Sequence, residues 1–108
     1  MTEPIETSGE DGMAEIRFNR PDSLNSLDVA MADALATTVE RVIADKAVQV
    51  VVFSGNGRGF MAGGDLRAFY DTPIAQRLEL SRRIISPLNR ALSALVSSDI
   101  LSVSSLHG

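Results

Sequence analysis

The residues best suited to chemistry lie in one short stretch. Ser54-Gly55-Asn56-Gly57-Arg58-Gly59-Phe60-Met61-Ala62-Gly63-Gly64-Asp65 holds five of the chain's eight glycines. It follows a β-branched run and precedes a short helical pattern, a setting that leaves backbone amides open to a ligand. One chemistry for such a loop is phosphate cradling. The spacing argues against it: Gly55 and Gly59 do not fit a Walker A loop, and no Gly-Lys-Ser/Thr follows. A dinucleotide fingerprint begins at Gly55 and Gly57 but meets Phe60 where its third glycine belongs. The other chemistry is an oxyanion hole. Gly63 and Gly64 carry no Cβ, so a substrate carbonyl can approach the backbone closely. The amides opening a helical turn are unpaired and sit at its electropositive end. Asp65 is suited to cap that turn. On spacing alone, a tight surface turn without a ligand is the favoured reading of the same glycines.

Other chemistries are thinned out by composition. The chain has 108 residues, no cysteine and one histidine, His107. Disulfides, Cys-ligated zinc and a Cys nucleophile are therefore excluded, and no metal site is expected. A Ser-His-Asp triad would have to use His107, beside the final residue. The net charge is −4 and no basic patch dominates, so nucleic acid is not an expected partner. No apolar run reaches the roughly 18 residues of a membrane helix. The start, Met1-Thr2-Glu3-Pro4, has neither a signal nor a transit pattern, and the expected location is cytoplasmic.

The elements around the loop read as mixed α/β. Ile5 to Thr7 and Met13 to Phe18 read as strands joined by a turn over Ser8-Gly9-Glu10-Asp11-Gly12. Asn19 to Ser23 is a loop, because Pro21 fixes its own φ and biases Arg20 to extended backbone. A helix starts near Asp28 as N-cap, with the apolar stripe Met31, Leu35, Val39, Val42 and Ile43, and closes at Asp45-Lys46. Val48 to Phe53 is nearly all β-branched, as in a strand covered on both faces. The strand–helix–strand order implies a right-handed crossover. Leu66 to Tyr70 reads as a short helical turn, ended by Asp71-Thr72-Pro73. A longer helix follows, with Leu78, Ile84, Ile85, Leu88, Leu92 and Leu95 as its buried side and Pro87 expected to kink or divide it. Ile100 to Leu106 reads as a last, buried strand. Ending on such a strand points to a chain truncated at its C-terminus.

Three blocks resemble the enoyl-CoA hydratase/isomerase (crotonase) family, in order. Asn19-Arg20-Pro21-Asp22-Ser23-Leu24-Asn25-Ser26-Leu27 is similar to that family's N-R-P-x-x-x-N-A-L block. Val50-Val51-Val52-Phe53-Ser54-Gly55 with Gly59-Phe60-Met61-Ala62-Gly63-Gly64-Asp65-Leu66 is similar to its V-V-L-T-G … A-F-C-A-G-A-D-L block, the most specific of the three. Ile100 to Gly108 resembles its P-V-I-A-A-V-N-G block. The resemblance spans residues 13–108. Met61, Leu101 and His107 depart from the usual Cys or Ala, Pro and Asn, and His107 is read as structural.

The resemblance implies a fold of strand–strand–helix spiral turns, here incomplete. Residues 1–108 would be the N-terminal part of a crotonase-like domain, whose family assembles as homotrimers or hexamers. It implies an acyl-CoA thioester substrate, with coenzyme A entering as part of the substrate and no separate cofactor. The Gly64 N–H would be the first oxyanion donor. Ala62, Gly63, Asp65, Leu66 and Arg67 would line the CoA moiety, and Ser23, Asn25, Ser26 and Leu27 would lie beside its pantetheine and adenine end. Arg58 and Arg67 are candidates for CoA phosphates or for plain surface charges.

The second oxyanion glycine and the acid/base carboxylates of the family fall beyond Gly108. No pair within the chain replaces them: Asp65 reads as a cap, and Glu40 and Glu79 read as solvated. The leading expectation is an enoyl-CoA hydratase/isomerase-type lyase of fatty or branched acyl-CoA metabolism, with this stretch inactive alone. A 3-hydroxyacyl-CoA hydrolase of the 3-hydroxyisobutyryl-CoA type shares the Ala62-Gly63-Gly64-Asp65-Leu66-Arg67 pattern. A non-catalytic interaction module is the alternative of another class, and a nucleotide-binding α/β domain is disfavoured by its glycine spacing.

Overall fold

The computed structural model describes residues 3–108, so Met1 and Thr2 of the N-terminal reading lie outside the described residues. Strand β1 (Ile5–Glu10) and strand β2 (Met13–Phe18) form an antiparallel hairpin in which Glu10 pairs with Met13. The turn is therefore Asp11-Gly12 alone, and both residues have positive φ (53° and 83°). That is the two-residue turn whose twist matches the strands. The five-residue turn expected from composition is thus too long: Ser8, Gly9 and Glu10 complete β1.

Helix α1 (Val29–Ala44) carries the chain to strand β3 (Val50–Gly55), which pairs parallel with β2. Helix α2 (Leu66–Asp71) and helix α3 (Arg77–Ser97) then lead to strand β4 (Leu101–Ser104), parallel to β3. The sheet order is β1-β2-β3-β4. Register puts Ala14 beside Val51 and Ile16 beside Phe53 on one face. This face packs on the α1 stripe, where Met31, Leu35, Ala36, Val39 and Val42 are buried. Phe18 joins the core, edge-on to Phe60 at 5.4 Å and stacked with Phe53 at 6.5 Å.

Two expectations about burial change. Strand β3 is not covered on both faces: Val51 is buried, while Val50 and Val52 are half-buried. They share the opposite face with Met13, Leu101 and Val103, all exposed. Strand β4 is accordingly exposed throughout and not a buried strand. Helix α3 packs on α1 through Pro87 and Ala91, its fully buried residues. Leu78, Ile85 and Leu92, expected on its buried side, are exposed, while Ile84, Leu88 and Leu95 are half-buried against the core. Pro87 does not divide α3, which runs unbroken over Arg77–Ser97. Pro87 is buried, and the apolar surface its ring removes from water works against the cost of the donor it lacks.

Candidate functional site

The glycine loop leaves the carboxyl end of β3, flanked by the segments that follow β2 and β4. Ligands of parallel sheets gather at that end. Its path is set first by the loop after β2. Arg20 caps the start of a 3-10 turn over Pro21–Ser23, in which the Ser23 N–H and Oγ both donate to the Arg20 carbonyl (3.1 and 3.3 Å). Leu24 and Asn25 then take positive φ (54° and 56°). Asn tolerates this conformation far better than Leu does.

Asn25 is fully buried, and its side-chain amide is wholly engaged. Oδ1 accepts from the Arg20 N–H at 2.7 Å. Nδ2 donates to the carbonyls of Asn56, Gly59 and Phe60 at 2.9, 3.0 and 3.0 Å. One side chain thus fastens the loop after β2 to the loop after β3. Gly55 makes room for it, because a Cβ there would stand 2.9 Å from Asn25 Nδ2 and 2.5 Å from the Phe60 carbonyl oxygen. His107 braces the same turn from the third side: Nε2 lies 2.9 Å from the Gly57 carbonyl, and its own carbonyl accepts from Phe60 N–H.

Beyond Phe60 the loop runs alongside residues 24–27. Ala62 N–H donates to the Leu24 carbonyl (2.9 Å), Leu27 N–H to the Gly63 carbonyl (2.7 Å), and Asp65 N–H to the Leu27 carbonyl (2.9 Å). Leu27 and Gly64 form a parallel bridge. Gly63 needs to be glycine for its φ of 102°. Gly64 has no such need: its φ is ordinary, and a Cβ built on it meets nothing within 4 Å. Among the described residues its N–H has no hydrogen-bond acceptor, and the residue is exposed.

Helix α2 is too short to persist by itself. Asp65 caps its start, accepting from Ala68 N–H through Oδ1 at 3.1 Å. Its Oδ2 lies 3.5 Å from Arg20 Nη2, and the same Nη2 lies 3.4 Å from Oδ2 of Asp28, the N-cap of α1. At the other end Arg77 Nε donates to the Phe69 and Thr72 carbonyls, and its guanidinium lies over the Phe69 ring at 5.3 Å. Asp65 is therefore a cap, as expected, and the Arg20 guanidinium beside it is an addition from the fold.

The structure thus brings together Ala62, Gly63, Gly64 and Asp65 with Leu24 to Leu27. It does not offer the side chains of Asn25, Ser26 and Leu27 to a ligand, because all three are buried. Asn25, Ser26 and Leu27, expected beside the pantetheine and adenine end of CoA, build the loop from beneath with their side chains. Leu66 and Arg67 are exposed on α2, and Arg58 is exposed in the loop. A groove lined by Leu24, Arg58, Phe60, Met61, Ala62 and Leu106 opens beside the glycines. Arg20 and Arg77 were not singled out from sequence. The Asn-Arg-Pro triplet is the one signal that pointed at Arg20. Among the described residues no cluster of three or more metal-ligating side chains occurs, and no helix is long and apolar enough to cross a membrane.

The chain is similar in sequence and fold to known proteins. The family model for enoyl-CoA hydratase/isomerase matches residues 13–104. A probable peroxisomal enoyl-CoA hydratase of Arabidopsis thaliana is 39% identical, over 72% of this chain and 34% of that protein. The 1,2-epoxyphenylacetyl-CoA isomerase of Escherichia coli is 37% identical, over 88% and 37%. Among solved structures, an enoyl-CoA hydratase/carnithine racemase from Magnetospirillum magneticum superposes with a TM-score of 0.84 at 28% identity, covering 100% of this chain and 40% of that one. An enoyl-CoA hydratase from Mycobacterium avium subsp. paratuberculosis gives 0.80 at 29% identity, covering 100% and 40%. The chain spans about a third of the length of these curated relatives and two fifths of the solved chains. The four-stranded sheet and its helices are part of a crotonase-like fold, and the chain belongs to the enoyl-CoA hydratase/isomerase family.

Proposed function

We propose that the glycine loop receives the carbonyl oxygen of an acyl-CoA thioester on the Gly64 N–H, as part of enoyl-CoA hydratase/isomerase chemistry. The observation that carries this reading is the state of Gly64. Its neighbours on both sides are hydrogen-bonded to Leu27, yet among the described residues its own N–H has no acceptor, and a Cβ built on it would meet nothing within 4 Å. A donor held this way needs no reorganisation when charge develops on a thioester oxygen, which is what makes such donors effective. Polarising the carbonyl draws electrons from the conjugated double bond and opens its β-carbon to water. The groove beside Met61 and Ala62 offers an apolar wall for the acyl part, and the exposed Arg58 and Arg67 offer charge for phosphates of the CoA part.

The proton transfers need carboxylates that the loop does not supply. Asp65 already holds the Ala68 N–H and faces Arg20, so it is a poor general base. The reading for these residues is therefore binding and polarisation of the thioester, with acid and base coming from elsewhere in the complete active site. The experiment is a calorimetric titration with crotonyl-CoA and with the corresponding S-butenyl thioether of coenzyme A, which lacks the carbonyl. Tighter binding of the thioester by roughly tenfold, worth one good hydrogen bond, is the expected result. Equal affinities would overturn the reading.

A further inference from the structure

We infer that Arg20 is the positioning residue that fixes the Gly64 N–H, acting as a pin common to two helix caps; the inference rests on the thioester-binding reading above. The geometry is a three-way fork. Each cap aspartate uses Oδ1 for its own helix: Asp28 accepts from Met31 N–H and Asp65 from Ala68 N–H. Each turns Oδ2 toward the same Nη2 of Arg20, at 3.4 and 3.5 Å. The other nitrogen, Nη1, donates to the Ser26 carbonyl at 2.6 Å. Arg20 therefore holds the residue on each side of Leu27, through Ser26 and Asp28, and the residue after Gly64, through Asp65. Leu27 and Gly64 are the bridged pair.

The side chains involved are sheltered, with 24% exposure at Arg20, 29% at Asp28 and 17% at Asp65, so solvent screens the arrangement only in part. The backbone of Arg20 is fixed independently of its guanidinium. Its N–H goes to Asn25 Oδ1, and its carbonyl accepts from Ser23 and Asn25. The fork thus projects from an anchored point. A planar guanidinium with donors on two separate nitrogens suits this task, and a lysine ammonium is a point charge without that geometry.

The test uses Arg20→Met and Arg20→Lys, read by amide hydrogen exchange resolved by residue. In Arg20→Met the Leu27 and Asp65 amides, which make the bridge, are expected to exchange about tenfold faster, the scale of a lost cap. The Ile16 and Val51 amides in the sheet should keep their protection. Arg20→Lys should recover part of the loss. The preference for crotonyl-CoA over its thioether should fall in Arg20→Met, a ratio that a general loss of folded protein would not move. Unchanged exchange at Leu27 and Asp65, or an equal rise across the sheet, would overturn the inference. Should Arg20→Met fail to fold, the same two amides in Arg20→Lys decide it. Wild-type protein without any thioester preference would sink the thioester reading, while the exchange data would still report whether Arg20 pins the loop.

Discussion

Leu27 and Gly64 lie side by side as a parallel bridge, with the Leu27 N–H on the Gly63 carbonyl and the Asp65 N–H on the Leu27 carbonyl. A buried core residue thus sets the height and direction of an exposed glycine amide. The two adjacent glycines have different reasons for lacking a side chain, and substitution separates them. Gly63→Ala forces a side chain into φ of 102° and should destabilise the protein by about 1–2 kcal/mol. Gly64→Ala meets no such strain and should change stability by less than about 1 kcal/mol. Its methyl would stand where the thioester is proposed to approach, so crotonyl-CoA binding should fall while the unfolding midpoint barely moves. Urea unfolding and calorimetry on both variants check the contrast.

Asn25 should be among the least replaceable residues in the chain. Asn25→Leu leaves the Arg20 N–H and three carbonyl oxygens without their partner, at an expected cost of about 2–4 kcal/mol. Asn25→Asp should be worse, because a carboxylate would face the oxygens of Asn56, Gly59 and Phe60. Urea denaturation at neutral pH is the measurement, and a variant within 0.5 kcal/mol of wild type, by the roughly ±0.5 kcal/mol scale of inert surface changes, would contradict it.

Arg77 is expected to matter for α2 and little else. Arg77→Met removes the donors from the Phe69, Tyr70 and Thr72 carbonyls and the cation over the Phe69 ring. A loss of about 1 kcal/mol should appear as faster amide exchange in Leu66–Asp71, with the sheet unaffected.

One carboxyl gives the protein a legible acid response. Hydrogen bonds from the Ser54 hydroxyl and Arg17, helped by the Arg17 charge and a weaker bond from Ser8, hold the Glu15 carboxyl below its usual range, against the opposing effect of burial. A depressed folded-state pKa means stability that is present above the unfolded value and lost as pH falls through the folded value. Glu15→Gln should therefore be less stable than wild type at pH 7, by about 1 kcal/mol. The difference should shrink as pH falls below about 4.5 and be lost once pH has passed through the lower folded-state value. Parallel unfolding midpoints across that range would contradict the assignment.

Local chemistry was legible in the sequence wherever it acts over a few residues. The stripe from Met31 to Val42, the caps Asp28 and Asp65, and the strand ending at Phe18 all follow from spacing and residue type, and the structure keeps them. Family resemblance carried the fold further than spacing could. What sequence could not give was the partner of each group. Leu78, Ile85 and Leu92 repeat at helical spacing, yet α1 covers only the neighbouring face through Pro87 and Ala91. For Asn25 the family resemblance points to a place beside the substrate, and nothing in the local sequence signals that its side chain is buried. Arg20 and Asp65 are 45 positions apart, so their pairing is a property of the fold and of no local pattern.

The Asn25 clasp has a consequence for how this sequence can drift. Its three acceptors are main-chain oxygens at positions 56, 59 and 60, atoms that every amino acid carries. The loop can thus change its side chains over generations and still be gripped in the same place. The freedom is one-sided: position 25 must keep an amide, and position 55 must stay bare because a Cβ would strike that amide. A loop built this way can be retuned for a new ligand without being rebuilt.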